Sequence, residues 1–391
     1  MKITKIEDFH ADGGWRTLSF LKISTDEGLV GWSEFTEGRA LPGLTVAIRK
    51  LAAELIGKDP RAISQISTML YAMTRTTTGG LISQAIAAVE NACLDIKAKS
   101  LGVPVYELFG GALRKRLPLY WSHCGTLRAR YPDVFGAAPL RTLDDIIALG
   151  KEVRTRGFKA LKTNILVADD KGLQNYRPGF GSGAGHPELN LDRKLLKSIL
   201  DTLSAFREGA GDDVDLLLDL NFNFKPEAVR QIAKAVEPFD LMWLEADMYQ
   251  PETLAYIRQS TTTRIGSLET IYGRRALRPY LDKLAVDVAI IDPQWNGVME
   301  ASRMAAFADA YEVNIACHNY NGHLSTLMGA HFSASIPNFR TFEMLIEEVP
   351  WMDDLMTTQN VVEDGHFIVP DAPGWGSDIN EQALAEHPPN K

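Results

Sequence analysis

Apolar and polar positions alternate singly through KITKIEDF, RTLSFLKIST and LVGWSEF, with DEG as a turn between the last two. The chain therefore opens as a β-meander. The period then lengthens. In LISQAIAAVENACLDIKAKSLG, Ile82, Ile86, Val89, Cys93 and Ile96 recur at intervals of four, three, four and three, and Gly102 stands where a helix would stop. That is one apolar helix face, and residues 1–117 are expected to form an α+β unit with its own core. From residue 118 strand and helix signals alternate. Eight strand candidates follow in order: LPLYWSHC, KALKT, VDLLLD, LMWLE, RIGSLE, VAIID, VNIACH and RTFE. Helical stretches such as LDRKLLKSILDTLSAFRE and GVMEASRMAAFADAYE separate them. This predicts a (β/α)₈ barrel over 118–355, with a doubly wound open sheet as the alternative, because periodicity does not show closure. The Pro- and Gly-rich tail, 356–391, ends in a short helical pattern expected to pack back on both units. The segment ILVADDKGLQNYRPGFGSGAGHPELN, after the second barrel strand, exceeds an ordinary connection and reads as a lid.

Composition is that of a globular protein, 45% apolar and 23% charged, and 391 residues suit one large barrel with an accessory domain. The net charge of −9 argues against nucleic acid or an anionic membrane as partner, though not against an anionic substrate held through a cation. Cys93, Cys124 and Cys317 form no CxxC pair and read as reduced thiols of a cytosolic protein. MKITKIEDFHADGG has no apolar signal region, and no stretch reaches the ~20 apolar residues of a membrane span.

The chemistry concentrates at the strand ends. Asp219, Glu245 and Glu269 close three successive strands, 26 and 24 residues apart, which is about the length of a strand, a helix and two loops. In a parallel barrel this puts three carboxylates at the C-terminal face, where ligands sit. Three converging hard oxygen ligands suit Mg²⁺. Lys162, Asp292, His318 and Glu343 close four other strands. Each alone has a bland reading, since strand ends reach solvent; seven together do not. Lys162 and His318 flank the acidic arc as nitrogen bases, and Asp292, on the strand next to His318, is placed to orient its imidazole. A Lys beside a divalent cation should have a lowered pKa. Asn221 points the same way as Asp219, and His123 closes the first strand. His323 and His331 read as capping or core histidines. GFGSGAGH lacks the Lys-Ser/Thr ending of a phosphate loop. By strand alternation Cys317 points away from the barrel interior.

These residues resemble the enolase superfamily, in its mandelate racemase/muconate lactonizing enzyme branch. The likeness runs through LVGWSEF, CLDIKAKSLGVPVYELFGG, GFKALKTN, LLLDLNFNF, LEADM, GSLET, HNYNGHLSTLMGAHFSASIPNFRTFE and PDAPGWG. It implies a modified barrel capped by an N-terminal α+β domain that the C-terminal tail completes, and a homo-oligomer. It also implies Mg²⁺ on Asp219, Glu245 and Glu269, and abstraction of the proton α to a carboxylate by a Lys or His base, the metal stabilising the enediolate. Lys162 matches the second-strand lysine, His318 and Asp292 the His–Asp dyad, and Glu343 the acid facing the substrate carboxylate. Cap loops near Gly13–Arg16 and Thr36–Pro42 would read the distal end of the substrate, with Arg16, His123, Asn164 and Asn221 as contacts. The racemases' Lys-x-Lys is Lys162-Thr163-Asn164 here, and Glu-Glu-Pro is Glu245-Ala246-Asp247. Lys-x-Asn occurs in the sugar-acid dehydratases of the branch. The expected activity is thus Mg²⁺-dependent dehydration of an aldonic or aldaric acid to a 2-keto-3-deoxy acid, with Glu343 donating a hydrogen bond to the enediolate. A racemase or epimerase using Lys162 and His318 on opposite faces, or a cycloisomerase of a carboxylic acid by the same half-reaction, is the alternative within the family. A non-catalytic metal-binding barrel is the reading from another class, and both bases being present weighs against it.

Overall fold

The computed structural model describes residues 1–38, 41–178 and 186–389. Near the N-terminus the alternating stretches pair as an antiparallel sheet of β1 (Ile3–Asp12), β2 (Thr17–Thr25) and β3 (Val30–Phe35), in that order. Three helices follow, α1 (Leu44–Ala53), α2 (Ile63–Met73) and α3 (Gly80–Leu101); α1 and α3 pack on the sheet and α2 packs on α3. The periodic run becomes α3, and Gly102 ends it in the left-handed conformation, φ 69°. Gly31 of β3 lies so close to α3 that a Cβ there would stand 2.2 Å from the Ala92 carbonyl oxygen.

All eight barrel strands form. They are β4 (Arg116–Ser122), β5 (Ala160–Asn164), β8 (Asp215–Asp219), β9 (Trp243–Glu245), β10 (Ile265–Ser267), β11 (Val288–Ile291), β12 (Asn314–Cys317) and β13 (Phe339–Leu345). Neighbours pair in parallel, and β13 returns to β4, Phe342 opposite Leu119 and Leu345 opposite Ser122. That closure removes the open-sheet alternative. Between β5 and β8 the expected lid carries a hairpin, β6 (Leu166–Asp169) with β7 (Gly172–Asn175). The Gly-rich run GFGSGAGH, residues 179–186, lies outside the described residues but for His186.

Strand alternation divides the barrel interior into layers. Tyr120, Ala160, Leu217, Trp243, Val288, Ile290 and Ala316 are buried together at the bottom of the barrel. Two residues further along the same faces stand Ser122, Lys162, Asp219, Glu245, Asp292 and His318. An apolar plug thus carries a polar layer at the C-terminal mouth. The tail ties the two units together. β14 (Val362–Glu363) pairs with β15 (His366–Ile368), and β15 adds antiparallel to β4. Trp375 is buried and donates through Nε1 to the Trp32 carbonyl of β3 at 2.9 Å. Its own N–H donates to the carboxylate of Asp95 in α3 at 3.0 Å. Among the described residues no helix is long and apolar enough to cross a membrane.

Candidate active site

Lys162 occupies the centre of the polar layer, 2% exposed, with the Tyr120 ring beneath its Nζ at 5.3 Å. Its Nζ lies 3.0 Å from Glu245 Oε2 and 2.9 Å from Glu343 Oε1. Burial acts to lower its pKa, but Glu245 and Glu343 overcome this and hold it well above the ordinary lysine value. With carboxylates on both sides Lys162 is held here as an ammonium, while the lowering expected beside a divalent cation concerns the metal-loaded site.

Glu343 is correspondingly ionised. Burial raises its pKa, yet Lys162 and His318 take it well below the usual carboxylate range. It accepts hydrogen bonds from Ser122 Oγ at 2.5 Å and from the Asn319 N–H at 3.0 Å. In these contacts Glu343 is an acceptor and a counter-charge to Lys162. Ser122, which the sequence reading passed over, links it to His123, whose Nδ1 is 2.8 Å away. His123 follows β4 at φ 51°, a left-handed conformation, and lies against Tyr320 with ring centroids 4.3 Å apart. Burial and then Lys162 lower its pKa to about 3, so it is a neutral group.

Across the mouth, His318 Nδ1 is 2.6 Å from Asp292 Oδ2. The other oxygen of Asp292 accepts the N–H groups of Gln294 at 2.6 Å and Trp295 at 3.0 Å, so the carboxylate is anchored at a helix start. The Trp295 ring packs on the imidazole, centroids 4.9 Å apart. With Nδ1–H donated to Asp292, Nε2 faces the mouth and meets Glu269 Oε2 at 3.2 Å. Burial opposes the charge on His318, but Glu269 and Asp292 raise its pKa to about 10.

The three strand-end carboxylates sit in register. Asp219 is opposite Glu245 across β8–β9, and Glu245 opposite Gly266 of β10, three residues before Glu269. Burial and then Glu245 push Asp219 up to about 7. Burial also carries Glu269 well above its ordinary value; His318 opposes this while Glu245, Asp247 and Asp219 add to it. Asp247, which the sequence showed only as a departure from Glu-Glu-Pro, joins the cluster and accepts from Ser267 Oγ at 2.5 Å. Asn164 and Asn221, expected at the substrate, both turn to Asp219. Their Nδ2 groups donate to Oδ2 at 2.8 and 2.9 Å. Non-glycine residues with positive φ gather here: Asn221 (50°), Phe222 (60°), Phe224 (75°) and Leu268 (93°), the last next to Glu269.

Among the described residues no three such side chains converge into a ready-made metal cage. Glu245 faces Lys162, Glu269 faces His318 and Asp219 faces two amides. The donor chemistry nevertheless suits a hard divalent cation: Glu245 helps raise Asp219, and Glu245 and Asp219 help raise Glu269, so these oxygen donors share a crowded negative charge that a cation would relieve. Cys317 is buried on the outer side of the barrel, where Gly329 of helix His323–Ser335 packs on it. His331 is a core residue between Tyr106 and Trp375. His323 begins its helix and pairs with Glu348 at 2.7 Å. Arg39 and Ala40, within the expected cap loop Thr36–Pro42, lie outside the described residues.

Two family models match the chain. "Mandelate racemase / muconate lactonizing enzyme, N-terminal domain" covers residues 13–110, and "Enolase C-terminal domain-like" covers 145–383. The chain belongs to the mandelate racemase/muconate lactonizing enzyme family of the enolase superfamily. As a member of that family it is an enzyme acting on a carboxylate. A D-galactonate dehydratase family member from Halomonas elongata is 30% identical over 390 residues, 95% of this chain and 92% of its own. The D-xylonate dehydratase of Haloferax volcanii is 26% identical over 99% of this chain and 89% of its own. A crystal structure from Burkholderia xenovorans strain LB400, described as a candidate L-alanine-DL-glutamate epimerase, superposes with a TM-score of 0.97 at 46% identity. It covers 100% of this chain and 99% of that one. A second structure so described, from the same strain, contains magnesium and fumarate and has the same identity and TM-score, over 100% of this chain and 96% of that one.

Proposed function

We propose that this enolase-superfamily member is a Mg²⁺-dependent dehydratase of a sugar acid, aldonic or aldaric, releasing the 2-keto-3-deoxy acid. One observation carries the choice. Lys162 is clamped between Glu245 and Glu343, whereas His318 is steered by Asp292 so that Nε2 alone faces the mouth. One mobile base serves a dehydration, in which the group that removes the C2 proton then returns it to the departing C3 hydroxyl.

Mg²⁺ on Asp219, Glu245 and Glu269 would supply a Lewis acid at the substrate carboxylate, acidifying the C2 proton. Once Glu269 is engaged elsewhere, His318 Nε2 loses its partner and can take that proton. Asp292 holds the tautomer and stabilises the imidazolium. The same Nε2–H protonates the C3 hydroxyl, the C3–O bond breaks, water leaves, and the enol at C2 and C3 ketonises. Lys162 supplies fixed positive charge opposite, with Glu343 and Ser122 holding it in place. The dehydratase relatives support this reading. The Burkholderia structures favour a second, epimerisation through Lys162 and His318 from opposite faces. The fumarate in one of them is a small carboxylate in a relative of the same fold.

The test is a screen of the Mg²⁺-loaded protein against aldonic and aldaric acids in D₂O, followed by NMR and a 2-keto acid assay. A 2-keto-3-deoxy product that is lost in His318→Asn is the expected result. Deuterium at C2 without keto product would establish epimerisation instead. A thermal upshift with Mg²⁺ in wild type, absent in Asp219→Asn, checks the cation site without turnover.

A further inference from the structure

Gln84, Glu90 and Asn91 of the cap helix α3 are buried polar side chains, and all three reach across to the barrel. Gln84 Nε2 donates to the hydroxyl of Tyr272, three residues beyond Glu269, at 2.8 Å. Glu90 accepts the Met299 N–H at 3.0 Å on one oxygen and the Ser67 hydroxyl at 2.9 Å on the other. Asn91 makes both of its bonds to one turn of backbone. Its Nδ2 donates to the Pro293 carbonyl at 3.1 Å, and its Oδ1 accepts the Val298 N–H at 2.9 Å. That turn, the short helix Pro293–Asn296 with Gly297, directly follows Asp292 at the end of β11.

We propose that Asn91 is a positioning residue for the His318–Asp292 pair, so that a cap side chain sets the aim of the barrel's base. This rests on the reading above in which His318 is the base.

Peptide geometry carries the argument from α3 to the imidazole. A peptide unit is planar, so the Pro293 carbonyl and the Gln294 N–H form one rigid group whose ends point in opposite directions. Asn91 grips the carbonyl end, and the N–H end donates to Asp292 Oδ1 at 2.6 Å. Rotating that plane would swing the N–H off the carboxylate, whose other oxygen lies 2.6 Å from His318 Nδ1. Donation by the Asn91 amide also polarises the unit, which strengthens the N–H as a donor to Asp292. The bond to Val298 closes the turn from its far end. Gly297 lies between the two at φ 79°, where a Cβ would stand 2.2 Å from Glu90 Oε1, so α3 leaves the turn no room to shift toward it. Trp295 supplies the second N–H to Asp292 and packs its ring on the His318 imidazole at 4.9 Å. One turn therefore holds the acid through its backbone and the base through a side chain, and Asn91 spans that turn.

Asn338 provides the comparison for a purely structural asparagine. It too is buried and makes two bonds to backbone, from Nδ2 to the carbonyls of Ala305 at 3.0 Å and Val313 at 2.8 Å. It stands just before β13, at the opposite end of the barrel from the mouth.

The experiment reads the His318–Asp292 hydrogen bond directly, by proton NMR of the Mg²⁺-loaded protein. Wild type should show the His318 Nδ1–H far downfield of the amide envelope, assigned by its loss in Asp292→Asn. In Asn91→Ala that resonance should move upfield or vanish, while Asn338→Ala keeps it. With the aldonic and aldaric acids of the screen as probes, kcat and deuterium uptake at C2 should fall roughly 20-fold or more in Asn91→Ala with KM within about threefold, and Asn338→Ala should stay within about threefold of wild type throughout. The thermal upshift with Mg²⁺ should persist in both variants, because the cation site is untouched. Asn91→Leu, which keeps the branched shape without the polar contacts, takes the place of Asn91→Ala if the latter does not fold, with the same expectations. An unchanged resonance or kcat in the Asn91 variant, or equal losses in it and in Asn338→Ala, would overturn the inference. A resonance lost only in the Asn91 variant, in a protein whose wild type neither exchanges the C2 hydrogen nor forms a keto acid, would support the positioning while refuting His318 as the base.

Discussion

Asp292→Asn tests the heart of the proposed chemistry because it changes charge without changing shape. Asp292 Oδ2 sits 2.6 Å from His318 Nδ1, and Oδ1 holds two backbone N–H groups. An asparagine keeps one oxygen for those N–H groups and presents its amide to the imidazole. That amide donates, so Nδ1 must accept, and the ring proton moves to Nε2, where the base is needed. Losing a hydrogen bond to an ionised group costs about 1.5–3 kcal/mol, and recovering the reactive tautomer against a neutral donor costs about 1–2 more. The barrier should rise by roughly 3–5 kcal/mol, a 10²- to 10⁴-fold fall in kcat. Stability should change by only about 1 kcal/mol, since the helix start keeps its acceptor. The assay is deuterium uptake at C2 and keto-acid formation under saturating substrate, with urea denaturation alongside. A folded Asp292→Asn enzyme retaining kcat within threefold of wild type would refute the assignment of His318 as the base.

Lys162→Met should cost roughly 3–5 kcal/mol in urea denaturation with EDTA, because Glu245 and Glu343 would remain buried without their counter-charge; a loss below about 1 kcal/mol would show that the clamp is not electrostatic. Gly209→Ala would place a Cβ 2.1 Å from the Ile147 carbonyl oxygen, where helices Leu143–Thr155 and Arg193–Ala210 meet. Backbone cannot yield as a side chain does, so a loss of about 3 kcal/mol is expected, and an unchanged urea midpoint would contradict the packing. Burial pushes Glu90 in α3 from 4.5 up to about 7, so the folded state holds a proton that the unfolded chain releases. Its contribution is fully present below about pH 4.5 and is lost as pH rises to about 7, by on the order of 3 kcal/mol. Glu90→Gln should flatten that part of the stability–pH curve, and an identical slope in both proteins would exclude Glu90 as its source.

The sequence by itself determined the repeating elements and the chemical inventory. Single alternation and helical spacing depend on local periodicity, so the cap strands, α3 with its Gly102 stop and all eight barrel strands could be read before any contact was known. The strand-end acids Asp219, Glu245 and Glu269 showed themselves through even spacing, because a strand plus a helix has a nearly constant length. Tertiary structure alone decided how those residues face one another. Closure of β13 on β4 is a long-range pairing with no local signature. It puts Glu343 beside Lys162, with Ser122 donating to the same carboxylate. Likewise Asn164 and Asn221 carry the same side chain wherever they point, and only the fold turns both onto Asp219. Arg16 and His123 are far apart in the chain and share no motif. Their convergence on Tyr320 exists only because cap and first strand meet over one barrel mouth, and contact at a site depends on distance through space rather than along the sequence.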